Sequence, residues 1–287
     1  MAGTGTMSFA YERPTDWSEA GRLLALPGAV AKMGGCDVLT KFRSGRLQAQ
    51  TVVALNGLPG VDELSVDAGG ARIGAAVTLA QLARRADFAA GWPVLGGAVA
   101  RIASPAIRAS ATVVGNVAQG WSVSDLVPLL QVCDGELDIR GPAGRRQMSV
   151  ADYARTPGSS ALRPGEAIGA LTLKPLPADL RIAYKRFSFK QAFDLPLVSV
   201  AVGAAVKNGV CGDVRVAAVG GQAMPARCAS VEAALNGKRI DGAAIEAAEA
   251  AMATWSDPPA DFRASAAYRR QVLTIMLRRA LSTLAGA

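Results

Sequence analysis

The chain has 287 residues, enough to bury a sizeable core as one large unit or two to three small ones. Hydrophobic residues make up 51% and charged residues 19%, which excludes a disordered chain, and no apolar run is long enough to cross a bilayer. The formal charge is +8, but the positive residues are dispersed and aromatics are only 5%, so nucleic-acid binding is not expected.

The opening segment MAGTGTMSFAYERP has neither a basic start nor an apolar stretch, so a cytoplasmic location is expected. The sequence PTDWSEAGRLLALPG then predicts a helix. Thr15 or Asp16 can cap it, Trp17, Ala20, Leu23 and Leu24 share one face, and Pro27 and Gly28 stop it. A short strand over Val30 to Met33 leads into the Gly34–Gly35 turn. A helix follows from about Asp37, then the strand TVVALN from Thr51. Gly57 to Gly60, with Pro59, marks a break.

Next come a strand over Ala71 to Val77 and a helix capped by Thr78. Another helix is predicted from Pro93 to Ala103, ended by Ser104–Pro105 because the residue before proline avoids helical angles. A strand then enters a second glycine turn at Gly115–Asn116. Ser124 or Asp125 opens a short helix through Leu129 and Leu130. GELDIR and RRQMSV flank GPAG as a hairpin, and AIGALTLKPLP is a closing strand.

From Asp179 onward RIAYKRFSF, LVSVAVGAAVK and VCGDVRVAAVG read as three strands, with Asn208–Gly209 as a hairpin turn between the last two. Helices are predicted over Ala226 to Leu235, Gly242 to Ala253 and Arg263 to Leu284. The fold class is therefore α+β. A small β-α-β module (residues 1–58) and a mixed α/β subdomain (59–177) precede a C-terminal three-stranded antiparallel sheet with helices (178–287).

There is no histidine, which removes Ser–His–Asp and Cys–His catalysis and the commonest metal ligand. Whatever chemistry occurs must be carried largely by a bound cofactor. Cys36, Cys133, Cys211 and Cys228 lack the close spacing of a zinc or iron–sulfur site and read as reduced, packed thiols.

Two segments carry the functional signal. AKMGGCDVLTKFR, from Ala31, and IASPAIRASATVVGNVAQG, from Ile102, each join a glycine turn to a polar or helical stretch. Such turns aim backbone N–H groups outward and admit close approach of a phosphate. Each has a plain alternative. The Gly34–Gly35 pair is also an ordinary tight turn, and Asp37 an ordinary N-cap. Asp125 can accept from a ribose hydroxyl or merely cap the helix at Leu126. Arg101 and Arg108 can meet phosphate or solvent. Lys185 and Asp194 can form a cross-strand ion pair.

With these residues in place, the chain resembles the FAD-binding middle subunit of the molybdenum hydroxylases over nearly its full length. KMGGCD is similar to the family's Ala-Gly-Gly loop, with Met33 for alanine and Cys36 at the variable position. TVVGN (Thr112 to Asn116) is similar to Thr-Ile-Gly-Gly-Asn, and IASPAIR to Ile-Gly-Ser-Pro-Gln-Ile-Arg. AYKRFSFKQAFDLPLVSVAV is similar to the family's flavin-facing hairpin.

The resemblance implies that Met33, Gly34, Gly35, Cys36 and Asp37, flanked by Lys32 and Val38, cradle the FAD pyrophosphate together with Thr112, Val114, Gly115 and Asn116. Ser104 and Ile107 lie along the cofactor. Asp125 meets its ribose or adenine half. Lys185 approaches the polar edge of the isoalloxazine, with Asp194 and Leu197 near the ring. Val114 stands where the family has glycine, so either a crowded phosphate or a shifted backbone is expected there.

The implied partners are a large molybdopterin subunit and a small subunit with [2Fe–2S] clusters, in a heterotrimer whose dimerisation is left open. No cluster is expected in this chain. Two alternatives stand beside that reading. One is a self-contained flavin oxidoreductase. The other is a scaffold subunit with a degenerate flavin site, for which Val114 and Met33 are the best support.

Overall fold

The computed structural model describes residues 9–156, 161–190 and 194–286. The N-terminal unit is β1 (Ala10–Glu12), α1 (Trp17–Leu24), β2 (Ala29–Lys32), α2 (Cys36–Arg43) and β3 (Thr51–Ala54). Its three strands are parallel in the order β1-β3-β2. Asp16 caps α1 by accepting from Glu19 N at 2.8 Å. Strand β1 is absent from the sequence reading. Its three residues are exposed and carry no alternating pattern, so only pairing with β3 makes it a strand.

The central unit holds β4 (Leu64–Asp67), β5 (Gly70–Gly74), α3 (Leu79–Ala83), α4 (Ala86–Gly91), α5 (Pro93–Val99), α6 (Pro105–Arg108) and α7 (Val113–Ala118). It continues with α8 (Leu126–Val132), β6 (Glu136–Gly141), β7 (Gly144–Ser149), α9 (Val150–Ala154) and β8 (Ala167–Leu173). Its sheet is antiparallel in the order β4-β5-β8-β6-β7. Thr78 and Gln81 form a reciprocal capping box on α3.

Two sequence expectations fail here. Helix α5 ends at Val99 rather than Ala103, because the chain turns through Ala103 at φ +52°. That left-handed alanine is braced by Arg108, whose Nη1 donates to the carbonyls of Ile102 (2.9 Å) and Ala103 (2.7 Å). The expected strand at ATVVGN is instead the start of α7, with Thr112 as N-cap. Two consecutive valines read as strand, but a hydroxyl cap and burial of Val113, Val114 and Val117 override that propensity.

The C-terminal unit comprises β9 (Leu180–Phe187), β10 (Val198–Lys207), β11 (Val210–Val219), β12 (Ala226–Arg227), α10 (Ala229–Leu235), α11 (Gly242–Trp255) and α12 (Ala266–Ala285). Asn208 (φ +52°) and Gly209 (φ +77°) make the hairpin turn between β10 and β11. The three anticipated strands are joined by a fourth, the two-residue β12, in the order β12-β11-β10-β9. Ala226 and Arg227 therefore leave the expected helix, which begins at Ala229.

Two cores result. One unites the N-terminal and central units. The other packs the C-terminal sheet on α10, α11 and α12. Strand β9 belongs to both. Ile182 and Tyr184 face the first, while Ala183 and Phe187 face the second, as period-2 alternation requires. Among the described residues no helix is long and apolar enough to cross a membrane.

Candidate functional site

The first bend joins β2 to α2. Gly35 is its N-cap at φ +83°, with no side-chain cap. The N–H groups of Cys36, Asp37 and Val38 consequently have no hydrogen-bond partner among the described residues. They lie at the positive end of the α2 dipole. Asp37 is the second residue of the helix rather than its cap. Burial raises its carboxyl above the usual range, while Lys41 and the Gln119 side chain pull it back. Gln119 ends α7, so this contact ties α2 to the second bend. Lys41 adds a second tie, its Nζ lying 6.0 Å from the Trp121 ring centroid.

The decisive contact is at Gly34. A Cβ there would stand 2.0 Å from the carbonyl oxygen of Ser110 and 3.0 Å from its carbon. Main chain thus meets main chain where the first bend touches the entry to the second, and only glycine fits.

At the second bend Thr112 Oγ1 accepts from Gly115 N at 2.9 Å. Val113 N donates to Val77 O and Asn116 N to Thr112 O, both at 3.1 Å. Val114 N has no partner among the described residues. The Val114 side chain is buried in the first core on a helical backbone. Val114 has no positive φ, so the valine itself is unstrained at this position. Asn116 Oδ1 accepts from Ser124 Oγ at 2.6 Å, which leaves the Asn116 amide N–H groups free to donate.

Ser104 caps α6 through Ile107 N (3.2 Å), and Ile107 remains 47% exposed beside it. Arg108 is committed to its two carbonyls. Arg101 instead lines a cavity of about 500 Å³ between α5 and β9, together with Ile102, Asp125, Tyr184, Lys185 and Arg186. Residues 101–116 therefore run without a break from this cavity to the second bend.

Asp125 is buried, and its Oδ1 accepts from Arg186 Nε (2.8 Å) and Tyr184 Oη (2.9 Å). It does not cap α8; Ser124 Oγ takes Val127 N instead. Burial raises the Asp125 carboxyl, opposed by Arg186 and by the Tyr184 hydroxyl. Burial and the Asp125 charge in turn push the Tyr184 phenol well up. Arg186 Nη2 continues to Asp194 O at 2.7 Å.

The anticipated Lys185–Asp194 ion pair is absent among the described residues. Asp194 Oδ2 accepts from Lys190 N at 3.1 Å. Leu197 is buried in the C-terminal core, and its carbonyl accepts from Arg269 Nη1 at 3.0 Å. Gln191 to Phe193 of the hairpin motif lie outside the described residues. Sequence reasoning missed Tyr184 and Arg186. Alternation along β9 was the available signal, since it puts them on the face opposite Ala183 and Phe187.

Comparison with known proteins accords with this geometry. A family model described as the FAD binding domain in molybdopterin dehydrogenase matches residues 7–175. A second, the CO dehydrogenase flavoprotein C-terminal domain, matches residues 182–284. The xanthine dehydrogenase FAD-binding subunit of Escherichia coli O157:H7 is 26% identical over 276 residues, covering 95% of this chain and 94% of that one. The carbon monoxide dehydrogenase medium chain of Afipia carboxidovorans is 26% identical, with 96% of each chain covered. Among solved structures, carbon monoxide dehydrogenase from Hydrogenophaga pseudoflava superposes with a TM-score of 0.91 at 25% identity, covering 96% of each chain. The reconstituted enzyme from Oligotropha carboxidovorans also gives 0.91, at 26% identity and 97% and 98% coverage. The chain belongs to the FAD-binding medium subunits of the molybdenum hydroxylases, of the carbon monoxide and xanthine dehydrogenase type.

Proposed function

We propose that the chain holds one FAD with its pyrophosphate across the two bends and its ring end in the junction cavity. In this reading it is the electron-transfer subunit of a cytoplasmic heterotrimer. A large molybdopterin subunit hydroxylates the substrate and a small [2Fe–2S] subunit relays the electrons. The observation that carries it is the close approach of Gly34 to the Ser110 carbonyl, which brings together two bends that each carry unpartnered N–H groups among the described residues.

The residues fit the group. Cys36, Asp37 and Val38 from α2, and Val114 with the Asn116 amide from α7, offer donors to a diphosphate. Lys32, Met33 and Gly35 shape the first bend, while Thr112 and Gly115 hold the second closed. Ser104 and Ile107 line the passage toward the ring. Asp125 keeps Oδ2 for a nucleotide hydroxyl, while Oδ1 anchors the C-terminal unit. Lys185 and Arg101 make no ion pair among the described residues and place two positive charges on the cavity wall. Asp194 and Leu197 act through backbone position. When bound, FAD supplies two-electron acceptance from the partner clusters and delivery to an external acceptor. The division into residues 1–58, 59–177 and 178–287 belongs to this reading, supported by one sheet falling in each.

A self-contained oxidoreductase would need its own acid–base group over the flavin, and the chain has no histidine. Burial of the Val114 side chain in the core weighs against a degenerate scaffold, for which Met33 remains as support. The test is to purify the chain with its companions. Visible flavin absorbance, extractable FAD and two co-purifying subunits are expected. A colourless complex with full activity would reverse the reading.

A further inference from the structure

The turn between α5 and α6 is strained. Ala103 takes φ +52°, a left-handed conformation that a residue with a Cβ adopts rarely. The resembled motif Ile-Gly-Ser-Pro-Gln-Ile-Arg has glycine at that point, and glycine adopts it freely. In this chain Arg108 holds the turn. From the last turn of α6 it reaches back, and its single nitrogen Nη1 donates to the carbonyls of both Ile102 and Ala103, at 2.9 and 2.7 Å. Arg108 is half-buried and pairs with no carboxylate among the described residues. Its donors serve main chain instead of an acid.

Backbone strain of this kind persists where the surroundings over-determine it, and it clusters at ligand sites. Here the surroundings are the junction cavity. Arg101 and Ile102, the two residues before Ala103, both line it. Their N–H groups donate to Ala98 O at 2.9 and 3.2 Å, so the end of α5 fixes this piece of wall on one side and Arg108 fixes it on the other. Ile102 offers the cavity an apolar side chain that also packs on the first core, whereas Arg101 is exposed. Four charged residues line the cavity: Arg101, Asp125, Lys185 and Arg186. Asp125 already faces Arg186, so Arg101 and Lys185 are the unbalanced charges.

We propose that Arg108 is a positioning residue for the flavin ring: by pinning the Ala103 turn it keeps Ile102 and Arg101 in the cavity wall, where an apolar surface and a positive charge meet the ring. The inference rests on the placement of FAD argued above. Reduction adds negative charge to the ring, so a cation held beside it favours the reduced form and raises the reduction potential. Arg108 needs no contact with FAD to do this.

The test measures the reduction potential of FAD on the full chain, with FAD content and thermal midpoint read alongside. Arg101→Gln is expected to disfavour the reduced form about tenfold, a shift of about 30 mV to more negative potential for a two-electron couple. Arg108→Met should shift the potential in the same direction. The double variant should shift it no further than the larger single change, because both act through one group. Ala103→Gly relieves the strain and guards against poor folding. Combined with Arg108→Met, it should bring the thermal midpoint back toward the parent while the potential stays shifted. A potential unmoved by either single variant would overturn the proposal. So would shifts that add in the double variant, since Arg108 would then act by its own charge, or a shift that disappears as stability returns. A parent chain that holds no FAD would overturn the underlying reading and this inference with it, and FAD content alone tells that case apart.

Discussion

At the first bend glycine is demanded from outside: Gly34 lies against the Ser110 carbonyl, and Gly35 turns at φ +83°. At the second, the backbone is helical, a threonine hydroxyl holds the turn, and a valine occupies the middle of it with its side chain in the core. Both segments can present N–H groups to the same anion, but the missing side chain makes way for main chain at the first and for the Thr112 hydroxyl, 2.7 Å from a Cβ built at Gly115, at the second. A glycine-rich pattern is thus two different physical devices. Whether a substitution is tolerated depends on what stands opposite the missing Cβ, not on how the motif is spelled.

The sharpest way to break this contrast is Gly34→Ala. Its methyl would meet main chain, so a stability loss at the upper end of the roughly 1–3 kcal/mol of overpacking is expected, with flavin retention lost. Denaturant midpoint and FAD per chain report the two effects, and unchanged flavin content would refute the close approach. Val114→Gly is the converse. Loss of roughly 1.5 kcal/mol of burial and about 0.4 kcal/mol of helix propensity should lower stability while leaving flavin content unaltered. A rise in FAD affinity in that variant would show that the valine had obstructed the site after all.

A smaller effect is expected from Thr112→Val, which keeps the shape but removes the cap to Gly115 N. About 1 kcal/mol should be lost, with a modest weakening of FAD binding. Equilibrium unfolding of both forms measures it, and no change would mean that packing alone holds the second bend.

The smallest concerns pH. Burial raises the Asp125 carboxyl in the folded chain, so its contribution is fully present below the unfolded carboxylate value of about 3.9 and shrinks as pH rises through the folded value. Asp138 acts in the opposite sense. Although burial alone would raise it, Arg145, Arg140 and Arg72 hold it low, and its contribution is lost as pH falls. Asp125→Asn should therefore flatten only the decline with rising pH. Melting curves of parent and variant that stay parallel from pH 4 to pH 6 would contradict this.

Much of the fold was legible because local chemistry and burial agreed. Asp16 and Thr78 cap as their sequences suggest, Asn208–Gly209 turns the hairpin, and the run from Leu197 becomes a strand buried from Val198 to Ala204. Most of the failures share a cause: partners distant in sequence. Val113–Val114 looks like a strand until a core is placed beside it. Ala10–Glu12 and Ala226–Arg227 become strands only through β3 and β11. The two bends could be read from glycine spacing, but their mutual contact could not, since Ser110 carries no signature. Arg108 looked available for phosphate, yet it is spent on the carbonyls around Ala103.

Burial lifts all four thiols above their usual range, Cys133 to about 12, and Cys36 alone is not fully buried. Mild alkylation at slightly alkaline pH should then label one sulfur, at the first residue of α2. That sulfur sits where we propose the diphosphate to lie, so its labelling rate offers a built-in occupancy gauge, readable by mass spectrometry without colour or turnover.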